Sequence, residues 1–285
     1  MRSFLFILMI GSLTFSSCDE QPVKVIPESS KSTENAILVI SEVISTFDVV
    51  DDFVSGSEMF FKQLECLLPE DAKVRILDGD FEDGDGVEVL IDFGVMGLEP
   101  YGLLCKDNKY RAGKICITLD KPYSEIDANL SVSFSETHPF YSGNGKEMNK
   151  IEGEFMFKRI SEEELMLHCG ELKVTTSEND AITVGGDLAI TWIENNGMGI
   201  INDKLTFDGI LRFASVDDEL IFEIVEPLYK EYGLSCAQYI KTGRMEVDAM
   251  NSASNISVDF DPNNDAPCDN TVCITLNGRM FMYMY

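Results

Sequence analysis

Two hydrophobic rhythms divide the chain. Between Glu34 and about Val54 the apolar residues Ile37, Ile40, Ile44, Phe47, Val50 and Val54 recur at steps of three and four. That spacing places side chains on one face of an α-helix. Ser32 or Thr33 can cap its start and Gly56 can stop it, so one amphipathic helix is predicted over 34–56. Its polar face would carry Glu34, Glu42, Asp48, Asp51 and Asp52. It is therefore expected to lay its apolar stripe on the rest of the protein, since a membrane-surface helix would want Lys and Arg there.

Beyond Cys66 the rhythm changes to period two. Val87, Val89, Ile91 and Phe93 alternate with other residues, as do Ile115, Ile117 and Leu119, Leu130, Val132 and Phe134, and Leu172 and Val174. Leu188, Ile190 and Trp192 follow, then Leu220, Phe222 and Ile224, Ile256, Val258 and Phe260, and Val272, Ile274 and Leu276. Turn residues separate them, among them Ser142-Gly143-Asn144-Gly145, Gly185-Gly186-Asp187, Asn195-Asn196-Gly197 and Asn277-Gly278. No helical stretch recurs between strands, so a doubly wound α/β fold is not expected. The predicted class is all-β with one N-terminal helix: a mainly antiparallel meander over 57–285, built as a sandwich or as a long curved sheet.

A pattern recurs within this body, at 66–119 and again at 236–276. Each copy holds a cysteine, an alternating strand ending in Ile91-Asp92-Phe93 or Val258-Asp259-Phe260, a second cysteine, and Cys116-Ile117-Thr118-Leu119 or Cys273-Ile274-Thr275-Leu276. The first two cysteines correspond, Cys66 and Cys105 in one copy and Cys236 and Cys268 in the other. They are candidate disulfide pairs, each closing a loop of a few tens of residues and worth on the order of 3 to 4 kcal/mol in the chain-entropy account. Cys116 and Cys273 either bond each other or sit as small buried thiols, which leaves Cys169 single. The cysteine spacings lack the close pairs a zinc site uses, so no metal is expected at them.

The first seventeen residues form a different kind of segment. Met1-Arg2 supplies a positive charge, Phe4 to Ile10 an apolar run and Leu13 to Ser17 small residues before Cys18, which together read as a signal peptide over 1–17. Small residues directly before a cysteine at this distance look like a lipidation site, with the Cys18 thiol as the nucleophile that takes the diacylglycerol. Residues 18–33, with Pro22, Pro27 and several Ser and Lys, read as a flexible tether.

Charge removes whole classes of partner. Fifty acidic residues face 22 basic ones across 285 residues, a formal net charge of -28 spread along the chain. Such a field repels phosphate backbones and anionic headgroups, so no nucleic-acid partner is expected and membrane contact is left to the lipid anchor.

The signal with its cysteine, the segment Phe47-Asp48-Val49-Val50-Asp51-Asp52, the stretch from Ile91-Asp92-Phe93-Gly94 to Cys105, and Arg111-Ala112-Gly113-Lys114-Ile115 resemble a group of uncharacterised β-rich Bacteroidota lipoproteins. Ile151-Glu152-Gly153, Leu188-Ala189-Ile190-Thr191-Trp192 and the closing stretch from Cys268-Asp269-Asn270 to Asn277-Gly278 extend the resemblance over most of the mature chain. It implies an outer-membrane lipoprotein, surface-exposed or periplasm-facing, and supplies no activity.

Candidate chemistry is sparse. The run Asp78 to Gly86 alternates acids with glycines and could wrap Ca²⁺, but an EF-hand register from Asp78 would put Asp83 where Gly is needed and Val89 where Glu is needed. A solvated hairpin loop is the expected reading. His168 and Cys169 are neighbours, and on a strand they would point to opposite faces, which prevents proton transfer between them; His138 precedes Pro139 in an expected loop. Trp192 and the tail Met280 to Tyr285 could form an aromatic platform for a glycan, or a terminal strand with one apolar face. No hydrolase or nucleotide motif is present. The reading is a non-enzymatic interaction or structural module with no cofactor and a glycan or protein partner; a carbohydrate-binding surface protein is the alternative, a secreted hydrolase the third.

Overall fold

The computed structural model describes residues 28–55, 67–134, 139–195, 200, 202–216, 218–233, 236–250 and 252–285. The signal segment, Cys18, Cys66, His138 and the Asn196-Gly197 turn lie outside the described residues.

One helix, α1 (Glu28–Ser55), precedes sixteen strands among the described residues. The first eight are β1 (Lys73–Asp78), β2 (Val87–Asp92), β3 (Leu103–Leu104), β4 (Tyr110–Ala112), β5 (Lys114–Leu119), β6 (Asn129–Phe134), β7 (Phe140–Gly143) and β8 (Met148–Arg159). The rest are β9 (Glu164–Thr175), β10 (Ala181–Glu194), β11 (Lys204–Ala214), β12 (Glu219–Glu231), β13 (Thr242–Ala249), β14 (Asn255–Asp259), β15 (Thr271–Leu276) and β16 (Arg279–Met284). All join one antiparallel sheet in the order β1-β2-β5-β6-β8-β9-β10-β11-β12-β13-β14-β15-β16, with β3, β4 and β7 forming a side branch that rejoins at β8. The expected meander is thus a single long curved sheet rather than a sandwich.

The sheet curves because it encloses the helix. Every residue from Val39 to Val54 is buried. Phe47 lies against Phe157 of β8, Trp192 of β10 and Phe207 of β11, at ring-centroid distances of 5.3, 6.4 and 6.0 Å. Period two then explains the core: Val87, Val89 and Ile91, or Ile115, Ile117 and Leu119, point at the helix and are buried.

Three sequence expectations are corrected by this arrangement. The helix starts at Glu28, so residues 28–33 belong to it and not to a tether. Its acids do not face solvent: Glu42, Asp48, Asp51 and Asp52 are buried, because strands and the segments that connect them supply partners for them. Gly185-Gly186-Asp187 is no turn but the middle of β10. There Gly186 has φ +125° and an added Cβ would lie 2.3 Å from the Ile210 carbonyl oxygen, so the glycine permits close approach to β11 beside the irregularity in the pairing of β10 with β9.

The repeated pattern maps onto the two ends of the sheet. In the first copy β1 pairs with β2 and β2 with β5; in the second β13 pairs with β14 and β14 with β15. In each, the aspartate after the middle strand's apolar pair turns the chain, Asp92 accepting from Gly94 N at 2.8 Å and Asp259 from Asp261 N at 2.9 Å. The registers differ by two residues, since Ile91 opposes Ile115 whereas Val258 opposes Ile274.

Candidate functional site

Within the helix two polar regions have different surroundings. Toward its C-terminal half, Asp48 accepts hydrogen bonds from Lys230 Nζ and Tyr232 Oη, both contributed from β12 and its end. Tyr123 Oη donates to Asp51 Oδ1 at 2.6 Å, and the Ile200 and Leu67 backbone N–H groups donate to the two oxygens of Asp52, the former at 3.0 Å. Arg111 on β4 grips Asp107 with two N–H groups at 2.8 and 2.6 Å and donates to Ser45 Oγ at 2.7 Å. Burial pushes the Asp51 carboxyl up to about 7 and Asp52 up to about 6. Burial likewise raises Asp48 and lowers Lys230, so desolvation opposes charge on both partners of that pair. For Asp107 burial acts upward too, but the Arg111 guanidinium outweighs it and holds the carboxyl below its usual range.

Toward its N-terminal half the helix borders two hollows, one of about 660 Å³ reached by Lys31, Ser32 and Asn35 and a larger one over a longer stretch of the helix. Lys31, Glu34, Asn35, Leu38, Ser41 and Glu42 are three or four apart in sequence or adjacent to such positions, and they form the floor of a cleft of about 780 Å³. Its walls come from separate connections: Asn108 and Lys109 before β4, Asn144 to Asn149 at the β7–β8 hairpin, Thr176 to Glu178 after β9, Gln238 and Tyr239 before β13, and Asn270 with Tyr283 to Tyr285 around β15 and β16. The volume lies in the range of small-molecule sites. Lys31 pairs with Glu178 and Asp180 at 3.1 and 3.0 Å, and Ser32 Oγ donates to Asp218 at 2.9 Å, tying the helix start to the turns around it. Glu42 Oε1 accepts from Asn149 Nδ2 at 3.1 Å and meets Lys109 Nζ at 3.2 Å; Glu42 Oε2 is buried and accepts nothing.

The residues singled out from sequence fall largely elsewhere. Cys236 and Cys268 form a disulfide with their Cα atoms 5.0 Å apart. Cys105 is buried, and its expected partner Cys66 is outside the described residues. Cys116 and Cys273 do not bond each other: each alternates with isoleucines that point at the helix and so takes the other face of the sheet, where Cys273 is a buried free thiol, as the second expectation had it, and Cys116 is half-buried with its Sγ donating to Glu88 at 3.2 Å. Cys169 is a buried thiol pushed up to about 12 by burial, while His168 on the opposite face lies 2.7 Å from Asp187. The acids of the β1–β2 loop converge, with carboxylate oxygens of Asp78, Asp83 and Asp85 within 4.8 Å of one another. Trp192 is 5% exposed and carries Arg159 5.4 Å from its ring, so it is no surface platform. On β16 Phe281 and Tyr283 turn inward and Met280, Met282 and Met284 outward.

Sequence reasoning missed the partners of the helix acids, though a signal existed. Lys230 continues the inward-pointing series Leu220, Phe222, Ile224 and Leu228 of β12, and Arg159 continues Phe155 and Phe157 of β8. A cation in phase with a buried apolar series requires a buried counter-charge. The cleft had no comparable signal, because its walls come from segments far apart in the chain. The chain matches no family model, no curated protein and no solved structure. No helix among the described residues is long and apolar enough to cross a membrane.

Proposed function

We propose that this chain is a non-enzymatic binding module of the bacterial envelope, held by a lipid on Cys18, and that the cleft over the helix receives its ligand. One observation carries the reading: the C-terminal half of the helix is enclosed, whereas residues of its N-terminal half form the floor of a cleft of about 780 Å³. A purely structural helix would gain from burying Leu38 as its C-terminal half is buried. A concave space with placed polar groups over a rigid element is how binding sites are built. The resemblance to β-rich lipoproteins supports the anchor and the envelope address.

A thermal-shift panel of oligosaccharides, peptides and polyamines tests the binding reading, since a ligand that binds only the folded protein raises Tm. A Tm increase for the wild-type protein that disappears in Leu38→Trp, which fills the cleft, is the expected result. A panel with no effect, or one whose effects survive that substitution, would count against it. Protease digestion on intact against lysed host cells tests the address: cleavage on intact cells places the module on the outer surface, protection until lysis on the periplasmic side.

A further inference from the structure

We infer that the ligand of the cleft is a neutral carbohydrate, held by amides and tyrosine faces and oriented by the Glu42 carboxylate. The inference rests on the binding reading above and concerns which chemistry the cleft selects. Six carboxamides line it: Asn35, Asn108, Asn144, Asn149, Gln238 and Asn270. A carboxamide offers two donors and an acceptor within one planar group, which matches a pair of neighbouring hydroxyls that each donate and accept. Several are already fixed in place. Asn35, Asn144, Asn149 and Asn270 each give one Nδ2 hydrogen to Asp180, Glu147, Glu42 and the Tyr285 carbonyl, and the oxygens of Asn144 and Asn149 accept from backbone N–H groups, so each of the four holds a second Nδ2 hydrogen for a ligand hydroxyl. Amides immobilised before binding cost little further ordering when a ligand arrives.

The aromatic content supplies the second half of the match. Tyr239, Tyr283 and Tyr285 line the cleft half-buried, and Tyr285 is braced edge-on by Phe260 at 5.9 Å with its hydroxyl accepting from Ile240 N at 3.1 Å. Such rings present an apolar face beside a polar tip, suited to a ligand whose C–H face and hydroxyl rim alternate.

Charge argues against anionic ligands. The two lysines of the cleft are committed, Lys31 to Glu178 and Asp180 and Lys109 to Glu42, so a phosphate or carboxylate finds no uncommitted cation, and the field of a chain at -28 repels it. Glu42 adds direction. It is 4% exposed, one oxygen is satisfied by Asn149 and Lys109, and the other accepts nothing from the described residues. A buried carboxylate oxygen without a donor is costly, and a hydroxyl delivered along the cleft floor removes that cost.

The test is an array holding neutral, acidic and amino glycans together with cationic peptides, probed with the wild-type protein and with Leu38→Trp, Glu42→Gln, Tyr283→Ala and, on the outer face, His168→Ala, followed by titration calorimetry on the best ligand. Neutral glycans should bind, His168→Ala should leave them unchanged and Leu38→Trp should abolish them. Glu42→Gln should weaken them roughly tenfold to a hundredfold, the range for a hydrogen bond to a charged group. If Glu42→Gln fails to fold, Tyr283→Ala carries the same question, with loss of binding expected. Neutral-glycan binding that survives both Leu38→Trp and Tyr283→Ala would overturn the inference. Cationic peptides that bind in place of glycans and are lost in Leu38→Trp would overturn the carbohydrate class and leave the binding module standing. Silence across the array, together with a flat thermal-shift panel, would overturn both.

Discussion

The two halves of the central helix carry the same kinds of residue and use them for opposite ends. Asp48, Asp51 and Asp52 are sealed in, each matched by a lysine, a tyrosine or a backbone N–H. Lys31, Glu34, Asn35 and Leu38 face open space. In the sealed half hydrogen-bonding capacity is consumed by the fold, so a substitution there should be read in stability. In the open half Lys31, Glu34 and Asn35 spend part of that capacity on Glu178, Asp180 and Ser30 but border open space, so it is at Leu38, whose side chain has no such bond to lose, that a substitution should be read in binding and scarcely in stability.

The largest test of that contrast breaks the sealed half. Asp48→Ala leaves Lys230 buried without its counter-charge, and Phe47→Ala removes a ring packed on three strands; each should cost about 3 to 5 kcal/mol in urea denaturation. The double change Asp48→Leu with Lys230→Met should recover much of the single-mutant loss, because desolvation already works against both charges. Replacing Cys236 and Cys268 by serine should remove about 3 to 4 kcal/mol, for a closed loop of 32 residues. A smaller effect is expected from pH. Asp51 has its folded-state pKa raised to about 7, so between about pH 4 and 7 the native state holds a proton the unfolded state has lost. Stability should therefore fall as pH rises through that window, with a slope from this group of at most about 1.4 kcal/mol per pH unit, and Asp51→Asn should flatten it. Asp107 has the opposite sign: its contribution is present above the ordinary aspartate pKa and is lost as pH falls through its depressed value. The smallest change belongs to the open half, where Leu38→Trp should alter stability by no more than about 0.5 kcal/mol while abolishing ligand binding.

The sequence made the same division only in part legible. The threes-and-fours spacing of Ile37, Ile40, Ile44, Phe47, Val50 and Val54 revealed the helix, and all six are buried. It did not reveal that the opposite face is enclosed too, because that depends on Arg111 and Lys230 arriving from distant strands and Tyr123 from the β5–β6 connection. Period two gave the inward residues of β2, β5 and β15 directly. It gave only the second half of β9, where the alternation of Leu165, Leu167 and Cys169 breaks at the exposed pair Gly170-Glu171 and resumes out of phase at Leu172 and Val174. The start of the helix was obscured for another reason. Residues 28–33 are polar and lack apolar spacing, and they are held instead by cross-links such as Lys31 with Asp180. Trp192 shows the limit of residue type as evidence, since an aromatic on an alternating strand is a platform or a core residue according to which face it takes.

The pairing of Asp48 with Lys230 spans 182 residues of chain. A ribosome adding roughly 5 to 20 residues per second completes the helix and then needs about 10 to 40 s more to deliver that lysine. For this interval the segment destined for the centre has its stripe and its three aspartates without the enclosure they are built for. Nascent chains arrested before and after residue 230 should therefore differ sharply in protease resistance at the helix, with time, rather than affinity or temperature, setting when the centre of this protein first becomes an interior.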